Sequence, residues 1–269
     1  MRFSFSIIHL MTRVVAIAVL SFPALAHAEL RVERSLNDTP HGFLRVSSPV
    51  RAGRTAQYFE LRHGDCGADR WHSDCATDRE RTEVWLPDDQ WGPGTLQWIG
   101  YSLYLPPDFP EIDPLGTVAG QIHMQGGPTN MRGGHPSQPG VLLMDLNQSG
   151  YTACVIRLSG PRQAVQDDCL HVQIATLGQM RGRWTDIQIG LDLRRQGGSI
   201  EIWANGRLVK RVEGFHPHMG ERYYFKYGLY RSFISRYPGR IPTQWVVFDE
   251  VRLGQSREEV VVREQAPVN

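Results

Sequence analysis

The chain has 269 residues, rich in Gly (27) and Pro (17), with four cysteines and 29 basic residues against 28 acidic ones. A net charge this close to zero excludes a bulk electrostatic attraction for nucleic acid. Beyond the N-terminus no segment resembles a membrane helix, and the length suits one large all-β domain as well as two ordinary ones.

Residues 1–28 read as a signal peptide. Arg2 and Arg13 give a basic start, residues 14–20 an apolar core too short to span a bilayer, and Ala26-His27-Ala28 a small-x-small cleavage site. The mature chain is therefore expected to begin near Glu29, exported to the periplasm or beyond. Two basic residues and no acid fall in the removed segment, which leaves 27 basic against 28 acidic residues and a net charge near −1. A polyanionic partner would then have to meet positive charge gathered in a groove rather than spread over the surface.

Residues 29–254 read as one domain and 255–269 as a tail, either a short helix or disordered. Within the domain, residues 63–79 form a long loop holding Cys66 and Cys75. Export makes disulfides the default, and of three pairings the short spacings favour Cys66–Cys75 and Cys154–Cys169. A metal site from Cys66, His72 and Cys75 is the competing reading, against which stands the lack of a C-x-x-C pair. Asp65, Asp69, Asp74 and Asp78 in the same loop suit a structural calcium by their oxygen chemistry, or simply form a polar surface loop.

Most periodic segments that follow alternate with period two, the mark of strands. In residues 81–85, Arg81, Glu83 and Trp85 share a face while Thr82 and Val84 point away. Ile99, Tyr101, Leu103 and Leu105 share one face, and Pro106-Pro107 ends that strand. In residues 121–125, Gln121, His123 and Gln125 oppose Ile122 and Met124. A second long loop covers residues 126–140. Ile187, Ile189, Leu191 and Leu193 alternate with polar partners. Residues 199–204 and 207–212 flank Asn205-Gly206, the strongest hairpin signal, since both central residues of a type I′ turn need positive φ. In residues 224–230, Tyr224, Lys226, Gly228 and Tyr230 share a face opposite Phe225, Tyr227 and Leu229. Residues 245–253 read as a late strand. The whole predicts one antiparallel sandwich of the jelly-roll kind.

Three of these strands thus set Arg, Gln, His, Lys and Tyr on a water-facing row, the groups needed to bind a carboxylate and move a proton. Lys226 stands out because the chain has only one other lysine, Lys210. Read singly, Arg81 and Glu83 would be an exposed ion pair, His123 and Tyr230 packing residues and Lys226 a solvated charge; together they suggest a site.

The three strands also carry a resemblance. Arg81-Thr82-Glu83-Val84, Gln121-Ile122-His123 and Tyr224-Phe225-Lys226-Tyr227-Gly228-Leu229-Tyr230 follow the Arg-Ser/Thr-Glu-Leu/Val, Gln-Ile-His and Tyr-Phe-Lys-x-Gly-x-Tyr patterns, in the same order. They resemble the jelly-roll polysaccharide lyases, meaning the heparin lyase I-like and glucuronan lyase families and the alginate lyases of that fold. The resemblance runs from about Arg54 to Leu253 and implies a concanavalin A-like β-jelly roll. Alginate lyases usually carry Ala after the motif lysine and Gln two residues after the tyrosine, whereas this chain has Tyr227, Arg231 and Ser232. That favours a glucuronate- or iduronate-containing polymer.

The resemblance implies β-elimination from an anionic polysaccharide; charge and hydropathy point to neither nucleic acid nor a membrane as partner, and a monomer with no cofactor beyond the calcium already weighed is expected. Gln121 and Arg81 are expected to neutralise the substrate carboxylate, since a guanidinium binds it bidentately. His123 donates to the same group or acts as base. Tyr230 is base, acid or both, its phenol made more acidic by Lys226 on the same face. Lys226, Glu83, Gln125, Tyr224 and Arg231 are expected to bind substrate, with Arg132, Arg236 and Arg240 lining the groove. Where H5 and O4 lie on one side of the sugar, as in D-glucuronate, Tyr230 alone suffices; in L-iduronate they lie on opposite sides and His123 is the base. The alternative from another class is a non-catalytic sugar-binding sandwich with Trp71, Trp85 and Trp91 as its platform. A glycoside hydrolase is disfavoured because no strand carries the paired carboxylates it needs.

Overall fold

A computed structural model describes residues 30–126, 140–159, 166–194, 198–214 and 220–262. The expected signal peptide, Arg132 and nearly all of the second long loop lie outside them. The strands are β1 (Glu33–Ser35), β2 (Phe43–Val46), β3 (Ala56–Leu61), β4 (Arg79–Trp85), β5 (Leu96–Tyr104), β6 (Thr117–Gln125) and β7 (Gly140–Asn147). They continue as β8 (Gly150–Ser159), β9 (Gln166–Ala175), β10 (Trp184–Asp192), β11 (Ser199–Ala204), β12 (Arg207–Glu213), β13 (Arg222–Ser232) and β14 (Gln244–Gly254). Short helices α1 (Leu177–Met180) and α2 (Arg257–Val260) and two 3-10 turns, Cys75–Thr77 and Ile234–Arg236, complete the described elements.

Two antiparallel seven-stranded sheets face one another, ordered β1-β4-β13-β6-β7-β8-β9 and β12-β11-β10-β5-β14-β3-β2. This is the expected jelly-roll sandwich. Alternation decides which residues fill it: Ile99, Tyr101, Leu103, Ile187, Ile189, Leu191, Phe225, Tyr227 and Leu229 are all fully buried. Each such large apolar side chain contributes roughly 1.5–3 kcal/mol by leaving water. Phe59, Tyr101, Phe225, Tyr227 and Phe248 form one aromatic cluster between the sheets, with neighbouring centroids 5.2–5.7 Å apart.

The Asn205-Gly206 hairpin forms as the dipeptide predicts, with φ of 49° and 75°. Both cysteine pairs are disulfides, Cys66–Cys75 and Cys154–Cys169, with Cα atoms 5.2 and 5.4 Å apart, so the reading of Cys66, His72 and Cys75 as metal ligands is set aside. Within the tail, Val260 is buried over Gly100 and Arg257 stacks on Trp203, 4.2 Å from its ring centroid. Among the described residues no helix is long and apolar enough to cross a membrane.

One glycine shapes the site. Gly228 has φ +126°, and a Cβ there would lie 2.3 Å from the Thr82 carbonyl oxygen. It occupies a bulge where the β13–β6 register slips between Tyr227 and Tyr230. The extra residue carries Tyr230 opposite both Arg81 on β4 and Val118 on β6.

Candidate active site

Residues directly paired across antiparallel strands share a face, so the register writes out the open face of the first sheet in rows. Trp85, Lys226, Gln121, Leu143, Cys154 and His171 form one row. Arg81, Tyr230, Val118, Asp145 and Thr152 form another. Tyr224 and His123 pair further along, their rings tilted with centroids 5.7 Å apart, and Trp85 packs edge-on against Tyr224.

Glu83 is the hub of this face, only 2% exposed. Its carboxylate accepts from Gln121 Nε2 at 2.6 Å, Lys226 Nζ at 2.9 Å and Arg81 Nη1 at 3.3 Å. Burial alone would push its carboxyl up; the charges of Lys226 and Arg81 overcome that and hold it below the ordinary range. Burial in turn pulls the Lys226 ammonium down, opposed by Glu83. Arg81 is held on its other side by Asp74, Nε to Oδ2 at 2.5 Å and Nη2 to Oδ1 at 2.6 Å. Asp74 is fully buried and adjoins the disulfide at Cys75.

Arg81 lies 4.7 Å from the centroid of the Tyr230 ring, and Arg79 Nε donates to the Tyr230 oxygen at 2.7 Å. Burial raises the Tyr230 phenol, while Arg79 and Arg81 pull it back toward acidity. His123 donates from Nδ1 to the Met124 carbonyl at 3.1 Å, which leaves the Nε2 lone pair free; among the described residues Nε2 has no hydrogen-bond partner. Burial first, then the Lys226 charge, pull His123 down to about 4, so it is a neutral acceptor at working pH. Arg81 and Glu83 act electrostatically on both His123 and Tyr230. Beyond Tyr230 a cavity of about 370 Å³ continues along the face between Asp145, Thr152, His171, Ser232 and Arg236.

Several expectations change. Arg231, expected to bind substrate, is fully buried on the opposite face of β13, where it pairs with Glu80 and Gln244. Tyr227 is likewise in the core, donating to Gln57 at 2.8 Å. Of the three residues that separate this chain from alginate lyases, Tyr227 and Arg231 are therefore packing residues, while Ser232 lines the cavity. Glu83 sits beneath the donors as their anchor rather than beside them. Lys226 is engaged by Glu83, and Arg79 holds the phenol oxygen instead. Gln121 and Arg81 lie in the site, with several of their N–H groups already given to Glu83 and Asp74. Gln125 is exposed at the end of β6, Tyr224 half-buried beside His123, and Arg236 lines the cavity.

The four loop aspartates do not converge on an ion position. Asp65 accepts from His41 and Arg62, Asp69 from the Trp71 and His72 amides, Asp74 from Arg81, and Asp78 from Ser235. Among the described residues no group of three or more acidic, His or Cys side chains is placed to hold a metal. The tryptophan platform does not form either, because Trp91 is buried and Trp71 stands exposed on the loop.

The chain is thus a two-sheet jelly roll whose one open face gathers Arg79, Arg81, Gln121, His123, Lys226 and Tyr230 around Glu83. The polysaccharide lyase family model matches residues 25–252, and the chain belongs to that family; it is a polysaccharide lyase. No curated protein sequence matches at a comparable level. Similar folds include the endo-β-1,4-glucuronan lyase of the fungus Trichoderma reesei, 18% identical over 81% of this chain and 88% of that one, TM-score 0.64. Alginate lyase A1-II′, of polysaccharide lyase family 7, is 15% identical over 81% and 85%, TM-score 0.52. The alginate lyase of Corynebacterium sp. is 16% identical over 78% and 83%, TM-score 0.51. At such identities the likeness is one of fold.

Proposed function

We propose that this lyase is exported and cleaves a uronic-acid-containing anionic polysaccharide, a glucuronan or a heparin/heparan-type chain, by β-elimination. One observation carries the reading. A neutral imidazole and a phenol under two guanidinium groups share one open face, around a carboxylate whose oxygens are engaged by Gln121, Lys226 and Arg81.

The substrate carboxylate draws the N–H groups that Arg81, Lys226 and Gln121 do not give to Glu83 and Asp74. They stabilise the charge that develops on it as the C5 proton leaves, and being already oriented they do so without reorganising. The C5–H electron pair becomes the C4=C5 double bond, the C4–O4 bond breaks, and O4 takes a proton. If H5 and O4 lie on the same side, Tyr230 as phenolate takes the proton from C5 and returns it to O4. If they lie on opposite sides, His123 Nε2 takes it and Tyr230 gives its own.

The preference for glucuronate or iduronate over alginate rests on the motif resemblance and on the activity of the glucuronan lyase of similar fold. Purified protein incubated with glucuronan, heparin, heparan sulfate, alginate and hyaluronan tests it, read by the ultraviolet absorbance of the new double bond. Unsaturated product is expected from glucuronan or the heparin-type chains, and Tyr230→Phe is expected to lose nearly all of it. Product from alginate alone overturns the substrate; binding without product from any polymer overturns the assignment of this face as the reacting site.

A further inference from the structure

Tyr230 passes through its phenolate in either course of the proposed elimination. It starts as phenolate when it takes the C5 proton and ends as phenolate when it gives its own to O4. Burial opposes that charge, so a cation at the oxygen decides whether the phenol is usable. Lys226 is committed to Glu83. Arg81 meets the ring face rather than the oxygen. Arg79 reaches the oxygen itself, Nε to Oη at 2.7 Å, while its Nη1 donates to the Thr77 carbonyl at 2.9 Å. The guanidinium is thus fixed at two points. Its strand is fixed too: Arg79 pairs with Ser232, and Asp78 accepts from the Ser235 amide and hydroxyl, both at 2.8 Å. The start of β4 and the end of β13 are locked together at the point where Arg79 meets Tyr230.

We propose that Arg79 is a positioning residue for this lyase: it holds the Tyr230 ring in the groove and carries the counter-charge of its phenolate. The assignment rests on the reading of Tyr230 as a proton-transfer group. Other charged groups face Tyr230 as well: Arg81 and Glu83 from β4, Asp145 from β7, His171 from β9 and Arg236 from the turn after β13. Glu83 and Asp145 oppose a phenolate, and among the described residues the N–H on its oxygen is that of Arg79.

The experiment is a pH titration of protein labelled with carbon-13 at the tyrosine Cζ, the Tyr230 signal assigned by its loss in Tyr230→Phe, with Arg79→Gln and Arg79→Lys compared to the wild type. Removing a cation in direct contact should move the Tyr230 midpoint up by about 1 to 3 pH units, and Arg79→Lys should lie between. On the polymer that the wild type cleaves, Arg79→Gln should lower kcat at neutral pH at least about tenfold with KM little changed. Its activity should recover as pH rises, which a merely structural loss would not do. An unchanged midpoint in Arg79→Gln overturns the inference. Should that variant not fold, Arg79→Lys decides: an ammonium lacks the fork that reaches both Tyr230 and Thr77, so a midpoint equal to wild type overturns it equally. A midpoint that moves in a protein that cleaves no uronate polymer leaves the Arg79–Tyr230 assignment standing and refutes the proposed site instead.

Discussion

His123 stays neutral because two influences act in the same direction: it loses water on burial, and the Lys226 charge lies near it. A neutral imidazole whose Nδ1–H is fixed on the Met124 carbonyl presents only the Nε2 lone pair to the groove. If that lone pair takes the C5 proton, His123→Ala should lower kcat at least ~10²-fold, and a loss below about tenfold would reduce it to a binding group. The acid limb of kcat/KM should then fall near the value of about 4 to which the site holds His123, not near the ~6.5 of an ordinary histidine. The same shift bears on stability. Between the two values the unfolded chain binds a proton that the folded one refuses, so this residue's contribution falls as pH drops from about 6.5 toward about 4. Urea unfolding of wild type and His123→Asn across that range would show the wild type losing stability faster with acid. Parallel curves would mean that the imidazole titrates normally.

Among the elements, the loop before β4 acts on the site through one carboxylate. Asp74 leaves the Cys66–Cys75 ring fully buried and grips Arg81 with both oxygens, and Arg81 in turn covers the Tyr230 ring. Asp74→Ala strands a buried guanidinium and should cost about 3–5 kcal/mol in urea unfolding. It should also lower kcat, because Arg81 is then free to swing toward Glu83. A cost under about 1 kcal/mol would show that Glu83 alone satisfies Arg81. This link was not legible in the sequence, since no periodicity connects a loop aspartate to a strand arginine seven positions on. The rows themselves were legible: Arg81, Glu83, Gln121, His123, Lys226 and Tyr230 were placed on open faces by period two alone. Extending the same alternation back by one step, from Arg81 to Arg79, would have reached the partner of Tyr230. What alternation does not carry is the bulge at Gly228, or which cation on a shared face meets which acceptor. Lys226 was expected at the phenol because it lies four positions away on the same strand, yet the register places Glu83 and Gln121 around it instead. Strands β7 to β9, which build the far wall of the cavity, lack a turn signal as strong as Asn-Gly, so the sequence does not mark them.

For the molecule as a whole, the two sheets are tied beneath the site by Arg231. Its guanidinium pairs with Glu80 of its own sheet at 3.1 Å and donates to the Leu61 carbonyl at 3.1 Å and Gln244 at 3.1 Å on the other. Both Arg231 and Glu80 have fully buried side chains. Only one position separates Arg231 from Tyr230, yet the pleat sends one into the sandwich and the other to the groove, so stability and activity should part between these neighbours. Arg231→Ala leaves Glu80 buried without its cation and should cost about 3–5 kcal/mol, with kcat per folded molecule little changed. Tyr230→Phe removes one half-buried hydrogen bond, about 1 kcal/mol, and should abolish turnover in a protein that unfolds almost as the wild type does. Denaturant midpoints and turnover measured on the same two preparations check the division. Loss of turnover in well-folded Arg231→Ala would place the tie between the sheets within the catalytic geometry, and would mean that the face carrying Tyr230 keeps its curvature only while Arg231 holds the second sheet beneath it.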